Sequence, residues 1–185
     1  MNKIITIFIL CVITGCATKK LTSDSDSNEF YPIGTENSKF LYAKSNAYVN
    51  HRDISKTTNF DGKKYQTRVI EYSWGKKVET FYRIQNGNVL YYDTQSESEN
   101  LIMPQNPVVG YKWKNSDQSW EYEIIDLNGE LKTPVKNYSG LLIMKATQLK
   151  NRDETKLTEY LNYYQRNVGK VASIGNGELM TYRTY

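Results

Sequence analysis

The sequence has few of the residues that build metal and nucleophilic sites. Among 185 residues there are one histidine and two cysteines. One histidine excludes zinc sites with several histidine ligands, and the cysteine count leaves no set of soft ligands. No glycine-rich loop of the kind that holds phosphate precedes a helix. The sequence therefore predicts no metal and no cofactor.

Strong charge and long apolar runs are also missing. Lys and Arg number 24 against 20 Asp and Glu, a formal net charge of +4, spread along the chain without a block of one sign. Such a balance does not favour a nucleic-acid face. The longest apolar run, 4–13, holds about ten residues, and a transmembrane helix needs about twenty. A membrane-spanning helix is therefore not expected.

That short run has the layout of an export signal. Lys3 precedes it, and Ile13-Thr14-Gly15-Cys16 ends it. This ending resembles the lipobox of bacterial lipoprotein signal peptides, while an ordinary secretory signal with a chance cysteine is the alternative. The resemblance implies cleavage between Gly15 and Cys16, a diacylglyceryl thioether on Cys16 and, in many bacteria, a third acyl chain. Several chains together anchor a protein stably in a membrane.

Two further expectations depend on this lipobox. Cys11 lies in the removed part, so Cys16 is the remaining cysteine and no disulfide can form within the mature chain. Ala17 follows Cys16, where an Asp would suggest inner-membrane retention. By resemblance, a Gram-negative owner would place the protein in its outer membrane, on the periplasmic or the surface face.

The chain divides into three parts on composition. Residues 1–15 form the predicted signal peptide. Residues 16–38 hold the lipidated Cys16 and a stretch poor in large aliphatic residues, which predicts a disordered, flexible tether. Residues 39–185 are long enough for one domain with a real core.

Tyrosine content and turn dipeptides predict a β-rich domain. There are sixteen tyrosines, and tyrosine packs well on a pleated sheet. Asn-Gly pairs at 86–87, 128–129 and 176–177 separate apolar arms, as in hairpins with two-residue turns. At the first, Ile84 should face Val89 and Tyr82 should face Tyr91.

Other strands are expected over 40–49, 65–74 and 138–147. Residues 157–164 fit a helical period, but they run into a strand-like stretch, and we predict a strand there. The fold expected is mainly β, one antiparallel meander forming a curved sheet, a half-barrel or a barrel.

Three stretches resemble segments of uncharacterised β-rich secreted lipoproteins. They are Tyr163-Tyr164 with Val168-Gly169-Lys170-Val171, Phe30-Tyr31-Pro32-Ile33-Gly34 before Phe40-Leu41-Tyr42, and Met103-Pro104 with Pro107-Val108-Val109-Gly110-Tyr111-Lys112-Trp113. The resemblance implies a fold and a surface location, and no activity.

The sequence offers no convincing catalytic group. His51 stands without a Gly-x-Ser-x-Gly turn, and we expect it in a polar loop at a strand end. Paired carboxylates can do acid–base chemistry, and the candidates are Asp93, Glu97, Glu99, Glu121, Glu123 and Asp126. The first three lie in or beside a solvated loop and the others along the wet side of a strand. We therefore predict that the protein is not an enzyme.

The function predicted is a lipid-anchored cell-envelope lipoprotein with a non-catalytic binding or scaffolding β domain. Its partners would be the membrane, through Cys16, and an envelope protein or a glycan. A lipid or glycolipid carrier of half-barrel type and a periplasmic immunity or inhibitor lipoprotein are the alternatives. An apolar trough of several hundred Å³ would favour the carrier.

Overall fold

A computed structural model describes residues 27–150 and 157–185, and in that part of the chain all regular structure is β. The strands are β1 (Asn37–Tyr42), β2 (Tyr48–Phe60), β3 (Lys63–Tyr72), β4 (Lys77–Gln85), β5 (Asn88–Asp93), β6 (Ser98–Met103), β7 (Lys112–Lys114), β8 (Trp120–Lys132), β9 (Asn137–Gln148), β10 (Glu159–Gln165), β11 (Gly169–Gly175) and β12 (Glu178–Arg183). The prediction of a mainly β fold is confirmed.

The twelve strands form one antiparallel meander that closes almost completely into a barrel. Their order is β6-β5-β4-β3-β2-β1-β12-β11-β10-β9-β8-β7, so β12 pairs with β1 and one seam remains between β6 and β7. Side chains bridge this seam: Trp113 Nε1 donates to the Leu101 carbonyl at 2.8 Å, and the Ser116 amide donates to Asn100 Oδ1 at 2.7 Å. The predicted curved meander is thus a barrel with one unsealed seam.

Two of the three predicted Asn-Gly turns are confirmed. At Asn86-Gly87 and Asn176-Gly177 the φ angles are 49° and 71°, and 51° and 75°, as a type I′ turn requires. Ile84 faces Val89 and Tyr82 faces Tyr91, as expected. A further turn with the same geometry, φ 49° and 72°, lies at residues 61–62 between β2 and β3.

The turn predicted at Asn128-Gly129 is wrong. Strand β8 continues through these residues to Lys132, with three register shifts against β9, and the chain reverses over 133–136. An added Cβ on Gly129 would lie 2.4 Å from Ile143 Cδ1. The glycine therefore serves close packing between two strands, which a turn dipeptide does not reveal.

The other strand predictions differ mainly at their ends. Segments 65–74 and 138–147 correspond to β3 and β9, and the strand predicted over 157–164 is confirmed by β10. The single strand expected over 40–49 is wrong, because β1 ends at Tyr42 and the chain turns back into β2. The Tyr42 amide donates to the Ala47 carbonyl at 3.0 Å and closes that turn.

Residues 27–36, which we call the plug, fill one end of the barrel. Asn28 Nδ2 donates to the carbonyls of Gly87 and Pro104, at 2.9 and 3.0 Å. Phe30 is 2% exposed and packs in the core with Val89 and Met103. The boundary predicted at residue 39 is therefore too late, since the described part of the predicted tether, 27–38, packs on the domain. Residues 16–26 lie outside the described residues.

The two ends of the barrel differ. Connections of an antiparallel meander alternate between its ends, so loops 43–47, 73–76 and 115–119 lie at one end, which we call the mouth. The turns 86–87, 104–111 and 166–168 lie at the other end, with the plug. The described residues include no helix with the length and hydrophobicity of a membrane span.

Candidate functional site

The interior of the barrel holds three adjoining cavities, which together we call the lumen. Their volumes are about 230, 370 and 170 Å³, and Lys170 lines all three. Other lining side chains are Phe40, His51, Arg68, Trp120, Tyr122, Ala146, Tyr160, Asn162, Met180 and Thr181. Apolar and aromatic surface with a few polar groups is the usual lining of a small-ligand site.

Aromatic side chains extend from the lumen to the mouth. The largest cavity is lined by Trp120 and Tyr160, which stand near the mouth ends of β8 and β10 with their ring centroids 6.0 Å apart. At the rim, Trp74 is 59% exposed, and its ring lies 4.7 Å from that of Tyr72 and 6.3 Å from that of Tyr42. The lumen is thus closed by the plug and reached past aromatic rings.

A buried ion pair ties the plug to the barrel wall. Arg68 Nε and Nη2 donate to the two Asp53 oxygens at 2.7 and 3.1 Å, and the two side chains are 5% and 1% exposed. Arg68 also donates to the Pro32 carbonyl, and Asp53 accepts from the amides of Gly34 and Glu36. A buried pair of this kind needs such added hydrogen bonds to offset its desolvation.

A second ion pair joins the plug to β12. Arg183 Nη1 donates to Glu36 Oε1 at 3.0 Å and to the Val168 carbonyl at 3.0 Å. The two side chains are 13% and 5% exposed. Glu36 therefore already has a cationic partner, although it lines the lumen.

Lys170 has no such partner. Among residues 27–150 and 157–185 no hydrogen bond or ion pair to its ammonium group is formed. Burial lowers the pKa of Lys170 to about 8, and no nearby carboxylate opposes that shift. The lumen leaves part of the side chain accessible, and most of it is covered by protein. Lys170 is therefore a largely buried cation without a carboxylate partner among the described residues.

The expectation for His51 is wrong. It lies within β2 rather than in a loop, and its ring lines the lumen 5.0 Å from the ring of Phe40. Burial, together with the charges of Lys170 and other cations, lowers its pKa to about 3. The imidazole is therefore neutral at physiological pH and adds no charge to the lumen.

The candidate carboxylates do not gather at the lumen. Glu99 lies on the opposite face of the sheet from Tyr82 and Tyr91, where it binds Arg83, Lys63 and the Tyr65 hydroxyl. Arg83 above all lowers the pKa of Glu99 to about 2, so Glu99 is ionised and unsuited to act as a general acid. The remaining candidates, Asp93, Glu97, Glu121, Glu123 and Asp126, line none of the three lumen cavities.

Two sequence predictions remain, the absence of a metal site and the lipidation of Cys16. Within the described ranges, no three His, Cys, Asp or Glu side chains stand together in a way that could hold a metal ion. The residues predicted for cleavage and lipidation, Gly15 and Cys16, lie outside those ranges.

Sequence reasoning missed Lys170 as a site residue. It belongs to a stretch noted only for its fold resemblance, and it follows Gly169 at the start of β11. Register shifts on both neighbours of β11 decide which of its residues face inward. In the sequence, a lysine between Gly169 and the apolar pair Val171-Ala172 gives no signal of a site.

Neither a family model, nor a curated protein, nor a solved structure matches this chain.

Proposed function

We propose that the protein is a non-catalytic binding domain, held at the bacterial cell envelope through acylated Cys16, whose lumen takes a small amphipathic molecule. The observation that carries the binding role is the lumen itself: adjoining cavities, the largest of about 370 Å³, lined by aromatic side chains and closed at one end by the plug. Its volume and lining fall within the range of small-ligand pockets. This favours a carrier or binding role over a purely scaffolding one.

The charged groups of the lumen support binding without catalysis. Asp53 and Glu36 are held by Arg68 and Arg183, and His51 is neutral with no carboxylate bonded to it within the described residues. General acid–base work needs a group that can exchange a proton near neutral pH and a partner that passes the proton on. Lys170, with its pKa of about 8, is such a group, but no described carboxylate or imidazole is hydrogen-bonded to it. Asp53 and Glu36, each paired with an arginine, instead help to hold the plug on the barrel wall.

The proposed anchor fits the position of the plug. Asn28 is bound at the plug end of the barrel, and eleven residues separate it from Cys16. A chain of that length reaches no farther than roughly 40 Å, at about 3.5 Å per residue when fully extended. With the plug end on the side of the membrane, the mouth opens away from the bilayer and stays free to take up a ligand.

Binding in the lumen is tested with a small aromatic probe. We expect naphthalene-2-carboxylate or its neutral amide, naphthalene-2-carboxamide, to bind the purified full chain in calorimetry and to raise its unfolding temperature. Ala146 faces the largest cavity, and Thr147 is its neighbour on β9. Ala146→Phe should abolish binding, and Thr147→Phe should leave it unchanged. Failure of both probes to bind, or binding by Ala146→Phe equal to that of the unchanged chain, would refute the proposal.

The anchor is tested separately. In bacteria supplied with labelled fatty acid, we expect the unchanged chain to be labelled and to sediment with membranes. The Cys16→Ser chain should remain an uncleaved, unlabelled precursor. Normal processing of that variant would show that Cys16 is not lipidated.

A further inference from the structure

The lumen contains one positive charge more than it contains negative charges. Three ordinarily charged side chains line it: Glu36, Arg68 and Lys170. Glu36 is paired with Arg183, and Arg68 is paired with Asp53. The two pairs cancel, so the surplus of a single cation belongs to Lys170.

The two arginines carry no surplus charge for a ligand, because each is already paired with a carboxylate of the protein. Arg68 holds Asp53 and the Pro32 carbonyl and lies against the rings of Tyr31 and Tyr82, with centroids 5.3 and 5.0 Å away. Arg183 holds Glu36 and the Val168 carbonyl. An anion entering from the mouth therefore meets Lys170 as its one free cationic partner among the described lining residues.

The space beside Lys170 suits the apolar part of such a molecule. The largest cavity extends from Lys170 towards the mouth along Trp120, Tyr160, Ala146 and Met180. The nearby Asn162 side chain accepts from the Ser173 hydroxyl at 2.9 Å, so its oxygen is already engaged. An amphipathic anion would fill this cavity with its charged head group on Lys170, at the inner end, and with its apolar part against these side chains, towards the mouth.

We infer that the lumen selects singly charged anionic amphipaths, a carboxylate on an aromatic or aliphatic body, and that Lys170 binds the anionic head. This inference rests on the proposed binding role of the lumen and names its ligand class. An ammonium–carboxylate hydrogen bond is stronger than a neutral one, and more so where water is scarce. The single surplus cation balances one negative charge on the ligand. A ligand with two negative charges would leave one of them unbalanced and is therefore disfavoured.

The test compares two probes of nearly the same shape, naphthalene-2-carboxylate and naphthalene-2-carboxamide. Calorimetry on the purified full chain should give a dissociation constant roughly ten to a hundred times lower for the carboxylate, the range of a charge-assisted hydrogen bond. Lys170→Met should reduce that preference to about twofold or less while the amide still binds, and Lys170→Arg should retain most of it. The control Lys56→Met removes a lysine from the exposed face of β2, paired there with Glu79, and should change neither constant.

The outcomes separate the two proposals. Equal binding of the two probes to the unchanged chain, or a carboxylate preference that survives in Lys170→Met, would overturn the role of Lys170 and leave the binding role standing. Absence of binding by either probe would overturn both.

Discussion

Lys170 should lower the stability of the folded chain, and Lys170→Met should relieve that cost. The pKa of Lys170 is about 8 in the folded chain against an ordinary value of 10.5. At 1.36 kcal/mol for each pH unit, burying the charged form costs about 3 kcal/mol. This is an upper limit, because water reaches part of the side chain. Methionine keeps the unbranched length and removes the charge, so we expect about 1 to 3 kcal/mol of added stability at pH 7.

The sign of the pH dependence is fixed by the direction of the pKa shift. Between about pH 8 and 10.5 the folded chain holds fewer protons on Lys170 than the unfolded chain. The free energy of unfolding therefore rises with pH in that window, and the whole penalty is present below it. The advantage of Lys170→Met should be largest at pH 7 and close to zero by pH 10.5.

Urea unfolding of the unchanged chain and of the Lys170→Met chain, at pH 7 and at pH 10, measures the difference in their free energies of unfolding. Lys56→Met, on the exposed face, should stay within about 0.5 kcal/mol of the unchanged chain at both values. A Lys170→Met chain that is less stable than the unchanged chain at pH 7 would refute the cost of the buried charge. An advantage of Lys170→Met that is the same at both pH values would also refute it, since the effect would then come from packing and not from charge.

Three other changes test the fold and the site. The pKa of His51 is about 3 in the folded chain, so below pH 6.5 the imidazole takes up a proton more readily in the unfolded chain, and stability falls as the pH falls. His51→Gln should reduce that loss of stability between pH 6.5 and 4.5, measured by urea unfolding. An unchanged dependence of the free energy of unfolding on pH would contradict the buried, neutral imidazole. Gly129→Ala should cost about 1 kcal/mol, because the new methyl group would clash with the end of the Ile143 side chain, which must shift. Ile143→Ala should remove most of that cost in a double-mutant cycle, and additive effects would speak against the contact. Asn28→Ala should speed hydrogen exchange at the amides of Phe30 and Tyr31, which donate to the Asn28 side chain, whereas unchanged exchange would mean that Asn28 does not hold the plug.

The sequence contained enough local information to predict the class of fold and part of the strand pairing. Asn86-Gly87 and Asn176-Gly177 sit between short apolar arms, and there the turn chemistry decides the register. At Asn128-Gly129 the same dipeptide lies in a strand, because irregular pairing with β9 carries the chain on to Lys132. That pairing depends on distant contacts such as the one between Gly129 and Ile143.

The site was beyond reach of the same reasoning. Whether a strand residue faces the lumen depends on every register shift before it, since one extra residue reverses the faces. Shifts occur in β10 between Tyr163 and Tyr164, and in the pairing of β11 with β12 after Ser173. Lys170 gains its environment from these long-range pairings, and His51 gains its environment from the pairing of β2 with β1 and β3. Simple alternation along each segment did not identify either residue.

The plug explains why the surplus charge falls on Lys170. It supplies Glu36 to Arg183, and its backbone amides at Gly34 and Glu36 hold Asp53 in place for Arg68. Without Glu36, Arg183 would lack its carboxylate partner, and without the two amides Asp53 would lose hydrogen bonds that align it on Arg68. The segment expected to be a tether therefore contributes to the charge of the site: together with Asp53 of β2, it leaves Lys170 as the lining cation without a carboxylate partner among the described residues.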